Sequence, residues 1–145
     1  MQNHTPDKLE ITILVRQQAV LLDPKNGSAW RSLGELQSMA GQNEKAIESL
    51  ERAVSLDQKD ARAWSSLGFA RFVAKQHDKA VQAFEHAVML EPTNVSAWVD
   101  LGVNQFAIGQ HNKAIESLKR AVLLDPNDQQ QSLFTLHIYQ TRMGQ

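Results

Sequence analysis

The sequence predicts an all-α protein, a solenoid of stacked antiparallel helix hairpins, on three observations. A signature recurs with a period of 34 residues: SAWRSLG at 28–34, RAWSSLG at 62–68 and SAWVDLG at 96–102 align without gaps. Inside each period the apolar residues follow two helical stripes separated by turn residues. The second stripe is too wide to be covered by one partner helix, so successive units must stack to bury it.

The elements follow in chain order within one domain, 1–145, which is room for a single core. Residues 6–24 form a half repeat. Ala19, Val20, Leu22 and Pro24 match Ala53, Val54, Leu56 and Gln58, the set that faces the next unit, whereas Thr12 and Arg16 replace residues that would pack on a partner helix of their own. Thr5-Pro6 has the form of a helix start, a capping residue followed by Pro in the first turn. The segment reads as a lone second helix that begins the solenoid.

Three full repeats follow, at 27–60, 61–94 and 95–128. In the first, Trp30, Leu33, Gly34 and Gln37 share one face of a first helix, and Ala46, Ile47, Leu50, Ala53 and Val54 form the stripe of a second. Gly41-Gln42-Asn43 and Gly109-Gln110-His111 are turns, Pro92 and Pro126 are stops, and Asp60 and Asn94 stand where first helices need an N-cap. Gly34 and Ala46, with their counterparts, let the two backbones approach closely. After the repeats, 129–143 reads as a capping helix with Leu133, Leu136 and Tyr139 as its contact residues, giving the stack a soluble end.

Composition excludes several functions. The net charge is -1, from 15 basic and 16 acidic residues spread along the chain, so nothing suggests a nucleic-acid partner. There is no cysteine for a disulfide, a thiolate metal site or a nucleophile. The N-terminus lacks the layout of a secretion signal, and the run from Ile11 to Leu22 is broken by Arg16, Gln17 and Gln18, so a cytoplasmic protein without membrane insertion is expected. Of the five histidines, His77 and His111 occupy equivalent positions in successive repeats. Neighbouring packed helices would hold them about 10 Å apart, too far to share a metal. His4, His86 and His137 have no ligand or catalytic spacing around them, and Ser65 and Ser66 have no placed base. No catalysis, cofactor or metal is expected.

Two features remain beyond the scaffold. On a helix, Phe69 lies about 200° around from Leu67, almost opposite the core stripe. Glu35 and Val103 stand likewise against Leu33 and Leu101, with Arg31, Ser65 and Val99 one turn earlier on that face. Phe72 and Phe106 fall between the two faces. At the N-terminal end, Ile11, Leu14 and Val15 share one helix face, where the other repeats carry lysine, glutamate or glutamine, and serine or alanine. They are covered either by the chain before residue 11 folding back or by self-association of two copies.

The repeat resembles the tetratricopeptide repeat family, whose pattern W-x2-L-G-x2-Y … A-x3-F … P it follows over about two-thirds of the chain. The pattern's Tyr is replaced by Gln37, Arg71 and Gln105, and its Pro by Gln58 in the first repeat. The resemblance implies a right-handed α-solenoid whose first helices line a concave ligand groove. Its wall would be Arg31, Glu35, Ser38 and Met39, then Arg62, Ser65, Phe69, Phe72 and Val73, then Ser96, Val99, Asp100, Val103 and Phe106. Some members clamp the terminal carboxylate of chaperone tails with basic and amide residues. The matching positions here are Arg31, Glu35, Ser66, Ser96 and Asp100, of which only Arg31 suits, so that clamp is not expected.

The resulting expectation is a scaffold, adaptor or co-chaperone module holding a protein or peptide segment by apolar anchors. The alternative is an assembly element that forms homo-oligomers through the N-terminal helix or the groove.

Overall fold

Among the described residues the chain forms eight helices: α1 Lys8–Leu22, α2 Gly27–Met39, α3 Asn43–Leu56, α4 Ala61–Val73, α5 His77–Leu90, α6 Val95–Ala107, α7 His111–Leu124 and α8 Gln129–Met143. They are seen in a computed structural model that describes residues 5–144 except 126 and 128, without the side chains of 129–134 and 138. His4, Pro126 and the side chain of Leu133, all singled out in the sequence, lie outside the described residues.

Helices α2/α3, α4/α5 and α6/α7 are the hairpins, and each second helix packs on the following first helix. The first helices also touch along the stack, α2 on α4 and α4 on α6, and so form an inner layer. α1 packs on α2 and α8 on α7, closing the two ends.

The repeated residues each have a local reason. Asn26, Asp60 and Asn94 cap the first helices, accepting from the amides of Ala29, Ala63 and Ala97 at 3.0–3.1 Å. The indole N–H groups of Trp30, Trp64 and Trp98 donate to the carbonyls of Pro24, Gln58 and Pro92 at 2.8–3.0 Å. That bond uses a main-chain carbonyl, which explains why Gln58 can stand where the other repeats have proline. The second helices have no side-chain caps. The chain turns into them through a left-handed residue: Gly41 at φ 74°, Gly109 at φ 85° and, in the middle repeat, Lys75 at φ 60°. A lysine there is strained where the glycines are not.

Each hairpin closes on its glycine. A Cβ on Gly34 would fall 2.6 Å from Leu50, one on Gly68 2.8 Å from Phe84, and one on Gly102 2.8 Å from Leu118. Leu50, Phe84 and Leu118 are completely buried, as are Ala53, Ala87 and Ala121 against the next unit. Where the family pattern has tyrosine, buried Gln37 and Gln105 accept from the hydroxyls of Ser49 and Ser117 at 2.6 and 2.7 Å. The middle repeat changes both partners together. Ala83 replaces the serine, and Arg71 turns to Glu51, 3.0 Å away, and to the Lys79 carbonyl.

The helix start expected at Thr5-Pro6 is not used. α1 begins at Lys8 behind Asp7, which accepts from the Glu10 amide at 2.8 Å while Glu10 accepts from the Asp7 amide at 3.1 Å. This reciprocal capping box satisfies two backbone donors at once, and a lone Thr cap satisfies one.

Gly68→Ala is expected to destabilise the fold by about 1 kcal/mol, within a range of roughly 0–2 kcal/mol. Overpacking against the fully buried Phe84 ring costs about 1–3 kcal/mol, less the roughly 1 kcal/mol that alanine gains over glycine in a helix. Thermal unfolding followed by circular dichroism checks this, and an unchanged or higher Tm would show that the ring can move aside.

Candidate partner-binding groove

The inner faces of α2, α4 and α6 lie side by side, and the residue types on them change sharply from one helix pair to the next. Between α2 and α4 the surface is locked by charge. Glu35 receives a bidentate pair from Arg62, Nε to Oε1 at 2.9 Å and Nη2 to Oε2 at 3.0 Å, and the Ser66 hydroxyl at 3.0 Å. Beside it, Arg31 donates to Asp60 at 2.6 Å, so the residue that caps α4 also holds α2. Arg31 is therefore committed within the chain and is no open cationic anchor.

Between α4 and α6 every member of that lock has changed. The positions 34 residues on from Arg31, Glu35, Asp60, Arg62 and Ser66 carry Ser65, Phe69, Asn94, Ser96 and Asp100. No ion pair joins the two helices here among the described residues. A concavity of about 510 Å³ lies over α2 and α4 and reaches α6 at Asp100, lined by Glu35, Ser38, Met39, Arg62, Ser65, Ser66, Phe69 and Asp100. Phe69 stands in its wall, 51% exposed, with the half-exposed Phe72 ring 6.3 Å away. Phe72 also lies edge-on to His77, whose Nδ1 is 2.9 Å from the Asn104 amide oxygen.

The remaining expected wall residues fall around this opening. Met39 and Val73 are exposed, Ser96 is exposed, and Val99 and Val103 are half-buried. Phe106, which the sequence places between the two faces, is stacked by Tyr139 of α8 at 3.9 Å with the planes 5° apart, and His111 meets its edge, so the capping helix covers part of the ring. Burial there pushes the Tyr139 phenol up, partly offset by Arg142. Ser66 was not among the expected wall residues, although its sequence position, one repeat before Asp100, was the available signal.

A larger cavity, about 650 Å³, lies on the outer side between α5 and α7, over Leu101, Gln105 and Ser117. Its lining includes Gln105, which stands in place of the pattern's tyrosine. Among the described residues no three His, Cys, Asp or Glu side chains gather as metal ligands, and no helix is long and apolar enough to cross a membrane.

Models of the tetratricopeptide repeat match at residues 72–134, 39–73 and 17–48, together running from the end of α1 into α8. The chain belongs to the tetratricopeptide repeat (TPR) family. Among solved structures it is similar to the crystal structure of MamA, with 25% identity over 97% of this chain and 87% of that one and a TM-score of 0.87. A second MamA structure is 28% identical over 89% and 72% of the two chains, with a TM-score of 0.80. The first TPR of Spaghetti (RPAP3), bound to the HSP90 peptide SRMEEVD, shares the fold at a TM-score of 0.78 and 19% identity over 85% of this chain and 97% of that one. No curated protein sequence matches the chain.

Within the TPR groove Asp100 is electrostatically exceptional. Its carboxylate has no described side-chain partner, and burial raises its pKa from 3.8 to about 6. The folded state therefore holds this proton more tightly than the unfolded chain, and stability falls as pH rises from about 4 to about 6. Asp100→Asn is expected to raise stability at pH 7.5 by about 1–2 kcal/mol, discounted for partial exposure, and the gain should shrink as pH drops toward 4. Denaturant titrations of both proteins across that range check it, and a pH-independent difference would contradict it.

Proposed function

We propose that this TPR protein is a non-enzymatic adaptor whose inner groove holds an extended or helical segment of a protein partner by apolar anchors. The observation that carries the reading is Phe69: a large aromatic at a position turned away from the core, half exposed on the wall of an open concavity. A side chain of this size kept half in water forgoes about 1 kcal/mol of burial, which a partner segment recovers.

The acidic peptide held by the RPAP3 TPR is a poor guide to the ligand here. Of the residues at clamp positions, Asp100 repels a carboxylate, Glu35 is taken up by Arg62, and Arg31 is bound to Asp60.

Peptides selected from a phage-displayed random library on the full chain should shift amide resonances of α4 and α6. Phe69→Ala should weaken them about tenfold at unchanged helicity. Shifts confined to α3, α5 and α7, or affinity indifferent to Phe69→Ala, would rule the groove out as the binding face.

Self-association is the second reading, supported by Ile11, Leu14 and Val15, which are 49–60% exposed on α1. Residues 5–7, the described part of the segment before α1, leave them exposed. Three neighbouring apolar side chains left in water favour pairing with a second copy. Light scattering should show a concentration-dependent dimer that Ile11→Lys/Leu14→Glu returns to monomer. A wild type that stays monomeric at high concentration ends this reading.

A further inference from the structure

The proposed groove contains a carboxylate for which the chain supplies no cation, and this names the chemistry of the segment it takes. The first-repeat side of the cavity shows what this surface does with a carboxylate: Glu35 is met by the Arg62 guanidinium through two hydrogen bonds and by a serine hydroxyl. One repeat on, the carboxylate is Asp100 and the arginine position is Ser96. The acceptor position has become Phe69, which offers Asp100 no proton. Asp100 and Phe69 line the same opening of about 510 Å³, beside Met39 and Ser65.

The other charged groups on this wall are already spent. Glu35 and Arg62 neutralise each other, as do Arg31 and Asp60, which leaves Asp100 as the uncompensated charge. The Asn104 side-chain amide donates to the Asp100 backbone carbonyl at 2.8 Å and not to its carboxylate.

We propose that the groove selects segments in which an arginine or lysine lies within about one helical turn of an aliphatic or aromatic residue, the cation pairing with Asp100 and the anchor packing on Phe69. The inference rests on the groove reading above and sharpens it. Two features argue for a basic partner. The acid sits in a pocket whose remaining charge is balanced, so a cation meets no competing positive group there. Partial burial also makes a charge-assisted bond stronger than it would be on an open surface. The desolvation that holds the Asp100 carboxyl near pKa 6 is the cost that such a cation relieves.

The test is the residue composition of peptides selected from a random dodecapeptide phage library on the full chain. Wild type should enrich Lys or Arg adjacent to Leu, Ile, Phe or Trp, and replacing that cation by Gln in a synthetic hit should weaken binding about tenfold. Asp100→Ser, which restores the residue of the two preceding repeats, should keep the apolar preference and lose the basic one.

Apolar enrichment without a basic preference, or with an acidic one, overturns this inference and leaves the groove reading standing. Enrichment of nothing, or of peptides indifferent to Phe69→Ala, overturns both. Displacement of the selected peptides by a synthetic peptide of residues 8–22 would give the pocket to a second copy of the chain and overturn the assignment to a foreign segment.

Discussion

Everything on the inner face depends on how closely the two helices of a hairpin approach. At Gly68 the α4 backbone comes so near the Phe84 ring that a single methyl group would collide with it, and Gly34 and Gly102 repeat the contact with Leu50 and Leu118. This approach uses up one face of each first helix. The indole bonds of Trp30, Trp64 and Trp98 tie the incoming loop to the same helix, and the alanines at 53, 87 and 121 let the next unit settle on the stripe that remains. The face opposite the glycine then has no packing partner within its own hairpin. A first helix has nowhere else to present it than to the concave side, where successive units line up.

Such a frame makes departures from the repeat informative. Positions that must pack are nearly invariant between units, so a residue that differs among its three equivalents is under another constraint. The five positions of the Arg31–Glu35–Asp60–Arg62–Ser66 lock change together at the next interface, to Ser65, Phe69, Asn94, Ser96 and Asp100. The first interface closes on itself with charge. The second has exchanged that closure for an aromatic ring and an uncompensated acid.

The hairpins, their order and the solvent-facing position of Phe69 were legible in the sequence because each depends on period alone. Contacts across the period were not. Arg31 has the composition of a free anchor, and only the packing of α2 on α4 brings it to the capping carboxylate of Asp60. Phe106 stands at the same repeat position as Phe72, yet it is covered by Tyr139 from a helix that lacks the signature altogether. The start of α1 differs in kind. D-K-L-E at 7–10 carries a complete capping box, and Thr5-Pro6 drew attention because proline is the louder local signal.

The middle repeat shows why the strain and the opening belong together. It departs most from its neighbours: Lys75 in a left-handed turn, Arg71 with Ala83 in place of the Gln–Ser pair, Phe84 in place of leucine, and Phe69 and Phe72 on the inner side. Phe84 is the largest of the three residues under the glycines, and it fills its hairpin completely. Arg71 adds a tie from α4 to Glu51 of the preceding hairpin. The unit that exposes two aromatic rings is thus also the one that buries an aromatic ring under its glycine and adds a tie to the preceding hairpin. A rigid backing keeps exposed rings from collapsing into the core, so they retain their place on the groove wall before any partner arrives. Binding to a wall already held in place spares the ordering cost that a flexible surface would incur on association.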